Sequence, residues 1–150
     1  MLNAIWFYRI ARFLWLLRIP LLPRLIKLLI FLIYNSTIPY EAPIGRGTMF
    51  GDGGIAVAIH RRTVIGRDVM ISPHVLIGGR SGLPGFPVIG DNVFIASGAK
   101  ILGNVTIGNN VTIGANAVVL KDVPDNAIVV GIPAKIIKYH TSPKTPFMDF

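Results

Sequence analysis

The 150-residue chain contains no cysteine, so disulfides and thiolate chemistry are excluded and the redox compartment is left open. Acids are scarce: seven Asp and Glu stand against fifteen Lys and Arg, for a formal net charge of +8. Five of the cations (Arg9, Arg12, Arg18, Arg24 and Lys27) fall within residues 1–34, which hold no acid at all. The remainder is nearly balanced, whereas a nucleic-acid-binding domain would carry its excess on the folded body, so no nucleic-acid partner is expected. A long charge-free apolar run is also missing. The longest near the N-terminus, "LLIFLIYNSTIPY", decays into polar residues, and a membrane span needs about 18 apolar residues or more.

What the chain does have is apolar character: 52% of it is hydrophobic, with a mean hydropathy of +0.60. Residues 1–38 concentrate this. The pattern predicts a helix over 2–18, interrupted by Pro20 and Pro23, and a second helical stretch over 24–34. No secretory signal is evident, since the charges are scattered and no small-residue cleavage site follows. Two broken, basic, aromatic-rich helices suit an in-plane anchor at the membrane surface, apolar side in the acyl boundary and cations at anionic headgroups. The expected location is then cytoplasmic and peripheral, at the inner face of the membrane. Capping of the neighbouring domain, or packing in an oligomer, is the alternative. Residues 39–47, "PYEAPIGRG", read as a hinge, residues 39–138 as the main domain, and residues 139–150 as a polar, loosely held tail.

In the main domain one aliphatic returns every six residues, which neither a helix nor a simple alternating strand does. Ile59, Ile65, Ile71, Ile77, Ile89, Ile95, Ile101, Ile107, Ile113 and Val119 keep this spacing, with one gap of twelve after Ile77. A short strand and a tight turn, repeated three times, close a triangular coil, and stacked coils bury a continuous aliphatic column. Gly66, Gly78, Gly90, Gly108 and Gly114 follow inward aliphatics where a bend leaves little room. Asn or Asp at 68, 92, 104, 110 and 116 fall at corners where positive φ is tolerated. The fold class is therefore all-β with an N-terminal helical segment. The hexads resemble those of left-handed parallel β-helix proteins, and the handedness comes from that resemblance.

"VIGDNVFIASGAKILGNVTIGNNVTIGANAVVLKDVPDNAIVVGIPAKII" (88–137) closely resembles the C-terminal half of the serine acetyltransferase family and its hexapeptide relatives. The resemblance covers roughly residues 44–138. It implies acetyl transfer from acetyl-CoA to a hydroxyl, without a metal, in a homotrimer whose cofactor lies in the groove between neighbouring prisms. On the matching positions, Gly78 and Gly79 in "LIGGRSG" would lie beside the thiol arm. Ser97 in "IASGAK" and Ala115 in "IGANA" would meet the pantetheine through their backbones, and Lys135 in "IPAK" would face the phosphates. Turn geometry alone is the plainer account of Gly78, Ser97 and Ala115. Two segments depart from the family. "FGDGG" (50–54) and "RSGLPGFPVIG" (80–90) stand where serine acetyltransferases carry histidines. "GGIAVAIHRRTVIG" (53–66) instead matches the short, membrane-associated O-acetyltransferase type, so the acceptor stays open between L-serine and a sugar of a surface polysaccharide or lipid-linked precursor.

Transfer to an alcohol needs a general base, and histidine suits that role. His140 lies in the tail and His74 at a corner, where a turn role is expected. His60 follows inward Ile59 and precedes Gly78 by eighteen residues, about one coil, which places both on one edge. His60 is the candidate base, with Asp52 as the carboxylate that would orient its imidazole. Arg80, in the stretch that exceeds the rhythm, would meet an anionic ligand or solvent. Zinc hydratases built on a similar prism need three convergent histidines, which this spacing does not offer. A non-catalytic scaffold held at the membrane remains the competing reading.

Overall fold

A computed structural model of the chain describes residues 1–142. Helix α1 (Ala4–Leu16) begins at Asn3, whose side chain accepts the N–H of Ile5 at 3.1 Å and donates to the carbonyl of Phe50 at 2.7 Å. It stops at Leu17, ahead of Arg18 at φ 61°, and so is shorter than the expected 2–18. Helix α2 (Leu22–Tyr34) ends at Asn35 in the left-handed region, φ 52°. Pro23 does not interrupt this helix. It sits in the first turn, where its missing N–H has no intrahelical partner to lose.

Helix α1 presents Ala4, Ile5, Tyr8 and Ala11 inward, and Ala4, Ile5 and Tyr8 join Ile30 and Tyr34 of α2 in the same core as the coils. The Tyr8 hydroxyl donates to the Ala42 carbonyl and accepts the N–H of Ile44. Arg9 donates to the carbonyls of Ile44 and Gly45, and Arg12 to those of Tyr40 and Glu41. Burial pushes the Tyr8 hydroxyl above its usual pKa and the Arg9 guanidinium below its own. The inward stripe thus caps the first coil. The outward faces stay apolar, with Trp6 59% and Leu32 69% exposed. Among the described residues no helix is long and apolar enough to cross a membrane.

Strands of two to five residues follow: β1 (Met49–Phe50), β2 (Ala58–Ile59), β3 (Val64–Ile65), β4 (Met70–Ile71), β5 (Leu76–Gly78), β6 (Val88–Ile89), β7 (Phe94–Ile95), β8 (Lys100–Leu102), β9 (Thr106–Ile107), β10 (Thr112–Ile113), β11 (Val118–Val119), β12 (Ala127–Val130) and β13 (Lys135–Tyr139). They form three faces. One is six-stranded in the order β1-β4-β7-β10-β12-β13, one four-stranded in the order β11-β8-β5-β2, and one three-stranded in the order β3-β6-β9. All pairings are parallel except β12 with β13. From β1 to β11 successive strands visit the faces in rotation, which is the three-sided coil that the sixfold rhythm predicts.

The register stacks like on like: Ile59 over Ile77 over Ile101, and Ile71 over Ile95 over Ile113. All ten inward aliphatics are at most 3% exposed, and each contributes about 1.5–3 kcal/mol by leaving water. Asp68, Asn92, Asn110 and Asn116 take positive φ at corners, and so does His74. Asn104 does not, because Gly103 at φ 93° makes that turn. Along the edge between the three- and six-stranded faces, Asn92 donates to Asn110 at 2.7 Å and Asn110 to Asn126 at 3.1 Å, a side-chain ladder across three coils. Of the expected loose tail, residues 143–150 lie outside the described residues, and its start is held. Tyr139 ends β13, the His140 N–H donates to the Asn126 carbonyl at 2.7 Å, and its Nε2 lies 2.9 Å from Thr112 Oγ1.

Candidate active site

The edge between the four- and three-stranded faces, here the front edge, carries His60. Its N–H donates to the Ile77 carbonyl at 2.9 Å, and the pairing of Ile59 with Ile77 sets Gly78 beside it. A Cβ on Gly78 would meet nothing nearer than the His60 Cβ, at 3.8 Å. The eighteen-residue spacing does therefore join these two residues. Gly78 differs from its counterparts in the repeat. A Cβ on Gly66, Gly90 or Gly108 would strike the next coil at 2.4, 2.5 and 2.4 Å, so those glycines serve the coil. Gly78 has space around it and no positive φ. Its missing side chain leaves a recess rather than permitting a bend.

The His60 ring lies flat against Phe86, centroids 4.1 Å apart and planes 8° from parallel. Phe86 comes from segment 79–87, the stretch in excess of the rhythm, and Gly79 lets it close, since a Cβ there would fall 2.9 Å from that ring. The Arg62 guanidinium sits 5.7 Å from the centre of the Phe86 ring. His60 Nδ1 accepts the Arg62 N–H at 3.2 Å, so the neutral imidazole carries its proton on Nε2. His60, Gly78 and Gly79 line a groove of about 340 Å³ with Thr37, Ala58, Leu76 and Leu102. Further along the same edge Arg80, Lys121 and Lys135 line a second hollow of about 400 Å³ with Leu120, Pro133 and Ala134. The front edge thus runs from an imidazole in an apolar groove to three cations.

The structure does not bring Asp52 to His60. Asp52 lies in the turn after β1, at φ 46°, on the edge between the six- and four-stranded faces, here the rear edge. The next corner on that edge is made by Pro73 and His74. A Cβ on Gly51 would sit 3.4 Å from Pro73, and the His74 N–H donates to the Ile55 carbonyl at 3.2 Å. Among the described residues no hydrogen bond or ion pair joins Asp52 to His60, whose ring is oriented by Phe86 and Arg62 instead. Ser97 and Ala115 are also on the rear edge, one coil apart, with the Ser97 carbonyl accepting the N–H of Asn116 at 3.0 Å. Gly78 and Ser97 are not a coil apart, because the excess in 79–87 consumes chain without advancing the stack. Among the described residues no group of three His, Asp or Glu side chains is placed to hold a metal ion.

The chain is 40% identical over 132 residues to the serine acetyltransferase of Synechococcus elongatus, an alignment covering 87% of this chain and 54% of that protein. It superposes on the serine acetyltransferase of Brucella abortus in complex with coenzyme A with a TM-score of 0.85 at 32% identity, over 91% of this chain and 55% of that one. The chain is a hexapeptide-repeat protein similar to the serine acetyltransferases. The family description "Bacterial transferase hexapeptide (six repeats)" matches residues 86–121 of this hexapeptide-repeat protein. The serine acetyltransferase of Mycobacterium tuberculosis is 39% identical to it over 149 residues, 97% of this chain and 64% of that protein. This hexapeptide-repeat protein therefore spans between about half and two thirds of the length of these relatives. Among the site residues that escaped the sequence reading are Phe86, Arg62, Thr37 and Lys121. Phe86 had a signal, as an aromatic in the segment that breaks the rhythm.

Proposed function

We propose that the chain is an acetyl-CoA-dependent O-acetyltransferase. The observation that carries this reading is the front edge: His60 beside the recess at Gly78, in a groove that leads to Arg80, Lys121 and Lys135. A pantetheine arm laid along the edge would put the thioester at His60 and Gly78–Gly79, and the phosphates at the cations, Lys135 among them. Gly78 supports the fit, since neither sterics nor dihedral demands glycine there. Ser97 and Ala115 lie on the other edge, so they would reach the same cofactor from a neighbouring copy. That arrangement fits a homotrimer of left-handed β-helices with the cofactor between prisms.

In the reaction the acceptor hydroxyl gives its proton to His60 as its oxygen attacks the thioester carbonyl carbon. A backbone N–H at the turn supports the oxyanion. The C–S bond then breaks, and the thiolate leaves with the proton from the imidazolium. His60 must first present an unprotonated nitrogen to the acceptor. A half-turn of the ring about χ2 does this, keeps the plane and hence the Phe86 stack, and releases the exposed Arg62 N–H to water. Asp52 has no part in this scheme.

The relatives' names carry serine as the acceptor. The absence of histidine from "FGDGG" and "RSGLPGFPVIG" favours instead the sugar of a surface polysaccharide or a lipid-linked precursor. The exposed apolar outer faces of α1 and α2, with Arg18, Arg24 and Lys27 and no acid in residues 1–34, support a peripheral place at the inner face of the membrane for segment 1–38, with 39–138 as the transferase domain and 139–150 as its tail. Acetyl-CoA consumption by the full chain and by His60→Ala tests the catalytic reading. A loss of about 10²–10⁴-fold in kcat is expected for a missing base. Equal turnover by both proteins removes His60 from the role, and no turnover by either favours a scaffold.

A further inference from the structure

Four of the five N-terminal cations divide into two pairs. Arg9 and Arg12 are tied to backbone carbonyls, whereas Arg24 and Lys27 line a hollow where α2 meets the coils, the Lys27 ammonium 5.9 Å from the centre of the Tyr40 ring. On α2, Arg24, Lys27, Leu28 and Phe31 stand at i, i+3, i+4 and i+7, a single stripe. That stripe encloses a hollow of about 260 Å³ against Ser36 and Thr37. Thr37 is also a wall of the His60 groove. It is the rung next to Ala58 on the four-stranded face, with its N–H on the Val57 carbonyl and its carbonyl on the Ile59 N–H, each at 2.9 Å. Rungs lie about 4.8 Å apart, so hollow and groove meet at Thr37 within two rungs of Gly78.

Charge along this path is uneven. Two cations stand at the α2 end, an uncharged wall of Thr37, Ala58 and Leu76 follows, then His60, then the three cations of the far end. The phosphates of an acyl-CoA account for the far end alone. The near end offers no carboxylate to an ammonium group, because residues 1–40 contain no Asp or Glu. It does offer two positive charges beside two apolar side chains, and the neighbouring Leu25, Leu29 and Leu32 are exposed.

We infer that the acceptor is a phosphorylated amphiphile whose phosphate rests on Arg24 and Lys27, whose tail follows Leu28 and Phe31, and whose hydroxyl-bearing head group crosses Thr37 to His60. This rests on the transferase reading of the His60 groove. The head-group oxygen forms the new bond to the acetyl carbon, the C–S bond breaks, the proton passes through His60 to the departing thiolate, and the phosphate stays intact.

The test uses the full chain in detergent with acetyl-CoA and three acceptors: farnesyl-pyrophosphoryl-N-acetylglucosamine, N-acetylglucosamine 1-phosphate, and L-serine. The farnesyl compound should exceed the tail-less sugar phosphate by roughly 100-fold in kcat/KM, the order expected for burying several methylenes. The double substitution Arg24→Gln, Lys27→Gln should raise its KM at least tenfold and leave unchanged the KM for acetyl-CoA and the acceptor-free hydrolysis of acetyl-CoA. Dodecyl phosphate should inhibit in competition with the acceptor, not with acetyl-CoA, and dodecyl maltoside should not inhibit. Serine turned over as well as the farnesyl compound, or an acceptor KM indifferent to the double substitution, overturns the inference. So does dodecyl phosphate that binds without competing, which would make the hollow a site for bystander lipid. Absence of both transfer and hydrolysis defeats the transferase reading itself, and then direct calorimetry decides the amphiphile site. Equal affinity of the wild type and the double variant for dodecyl phosphate would remove that too.

Discussion

Gly66 and Gly78 occupy the same place in the repeat, each directly after an inward isoleucine, yet alanine should act oppositely at the two. At Gly66 the new methyl would lie 2.4 Å from the Gly90 carbonyl oxygen and 2.4 Å from Asp91 Oδ1. Neither yields easily: one is backbone, and the other accepts the Arg67 N–H at 2.7 Å. The coils must part locally, at the roughly 1–3 kcal/mol typical of overpacking. For a chain of this length each kcal/mol moves the melting point by about 2–4 °C, so Gly66→Ala should melt roughly 2–12 °C lower. At Gly78 the nearest atom is 3.8 Å away, and the backbone suits any L-residue. Gly78→Ala should melt no lower than the wild type, and about 0.4–1 kcal/mol of lost chain freedom in the unfolded state should favour it. Its methyl enters the recess beside His60, however, so the KM for acetyl-CoA should rise about tenfold, the effect of one methyl in a fitted pocket. Thermal unfolding by circular dichroism and steady-state thioester assays on both variants decide the matter. If Gly78→Ala melts as low as Gly66→Ala, or leaves KM untouched, the recess is not a ligand site.

Phe86→Ala removes the plate behind His60, and kcat should fall roughly 2- to 13-fold, the equivalent of the 0.5–1.5 kcal/mol of a stacked pair, with little change in melting because Phe86 is half-buried on a surface segment. Lys135→Gln should raise the KM for acetyl-CoA several-fold and leave that for S-acetylcysteamine, which lacks the phosphates, unchanged. Tyr8 titrates higher in the folded state than its unfolded value of 10.0, chiefly through burial, so above that pH the folded protein holds more protons than the unfolded chain and stability falls as pH rises. Tyr8→Phe orphans the Ala42 carbonyl and the Ile44 N–H, and should cost about 1–3 kcal/mol at neutral pH while flattening that alkaline decline, as urea titrations on either side of pH 10 would show.

The coil was legible in the sequence because its period belongs to no other regular structure, and each inward isoleucine repeats the same local choice. The pairing of His60 with Gly78 was legible for the same reason: the eighteen residues between them contain no interruption. Beyond Gly78 the counting fails. Segment 79–87 adds chain without adding a rung, and Ser97 lands on the rear edge rather than under Gly78. Asp52 is close to His60 in sequence, but the strand between them sets the two on different edges of the prism. Phe86 depends on how an irregular segment folds back, which hydrophobic rhythm does not encode. In the helical segment the capping weighed as the alternative is what the inward faces of the helices do. The inward stripe of α1 caps the coils, and the outward residues remain uncovered.

A pile of parallel rungs has no natural length, since its first and last turns each offer a row of unpaired N–H and C=O groups to the next molecule. Here α1 lies across one end, and β13 returns along the other against the direction of every other strand, bringing Lys135 and Lys138 with it. A second molecule arriving end-on would meet a helix or a reversed, positively charged strand. End-on pairing along the described coils is thereby opposed, and the imidazole groove lies on the flank rather than at either end.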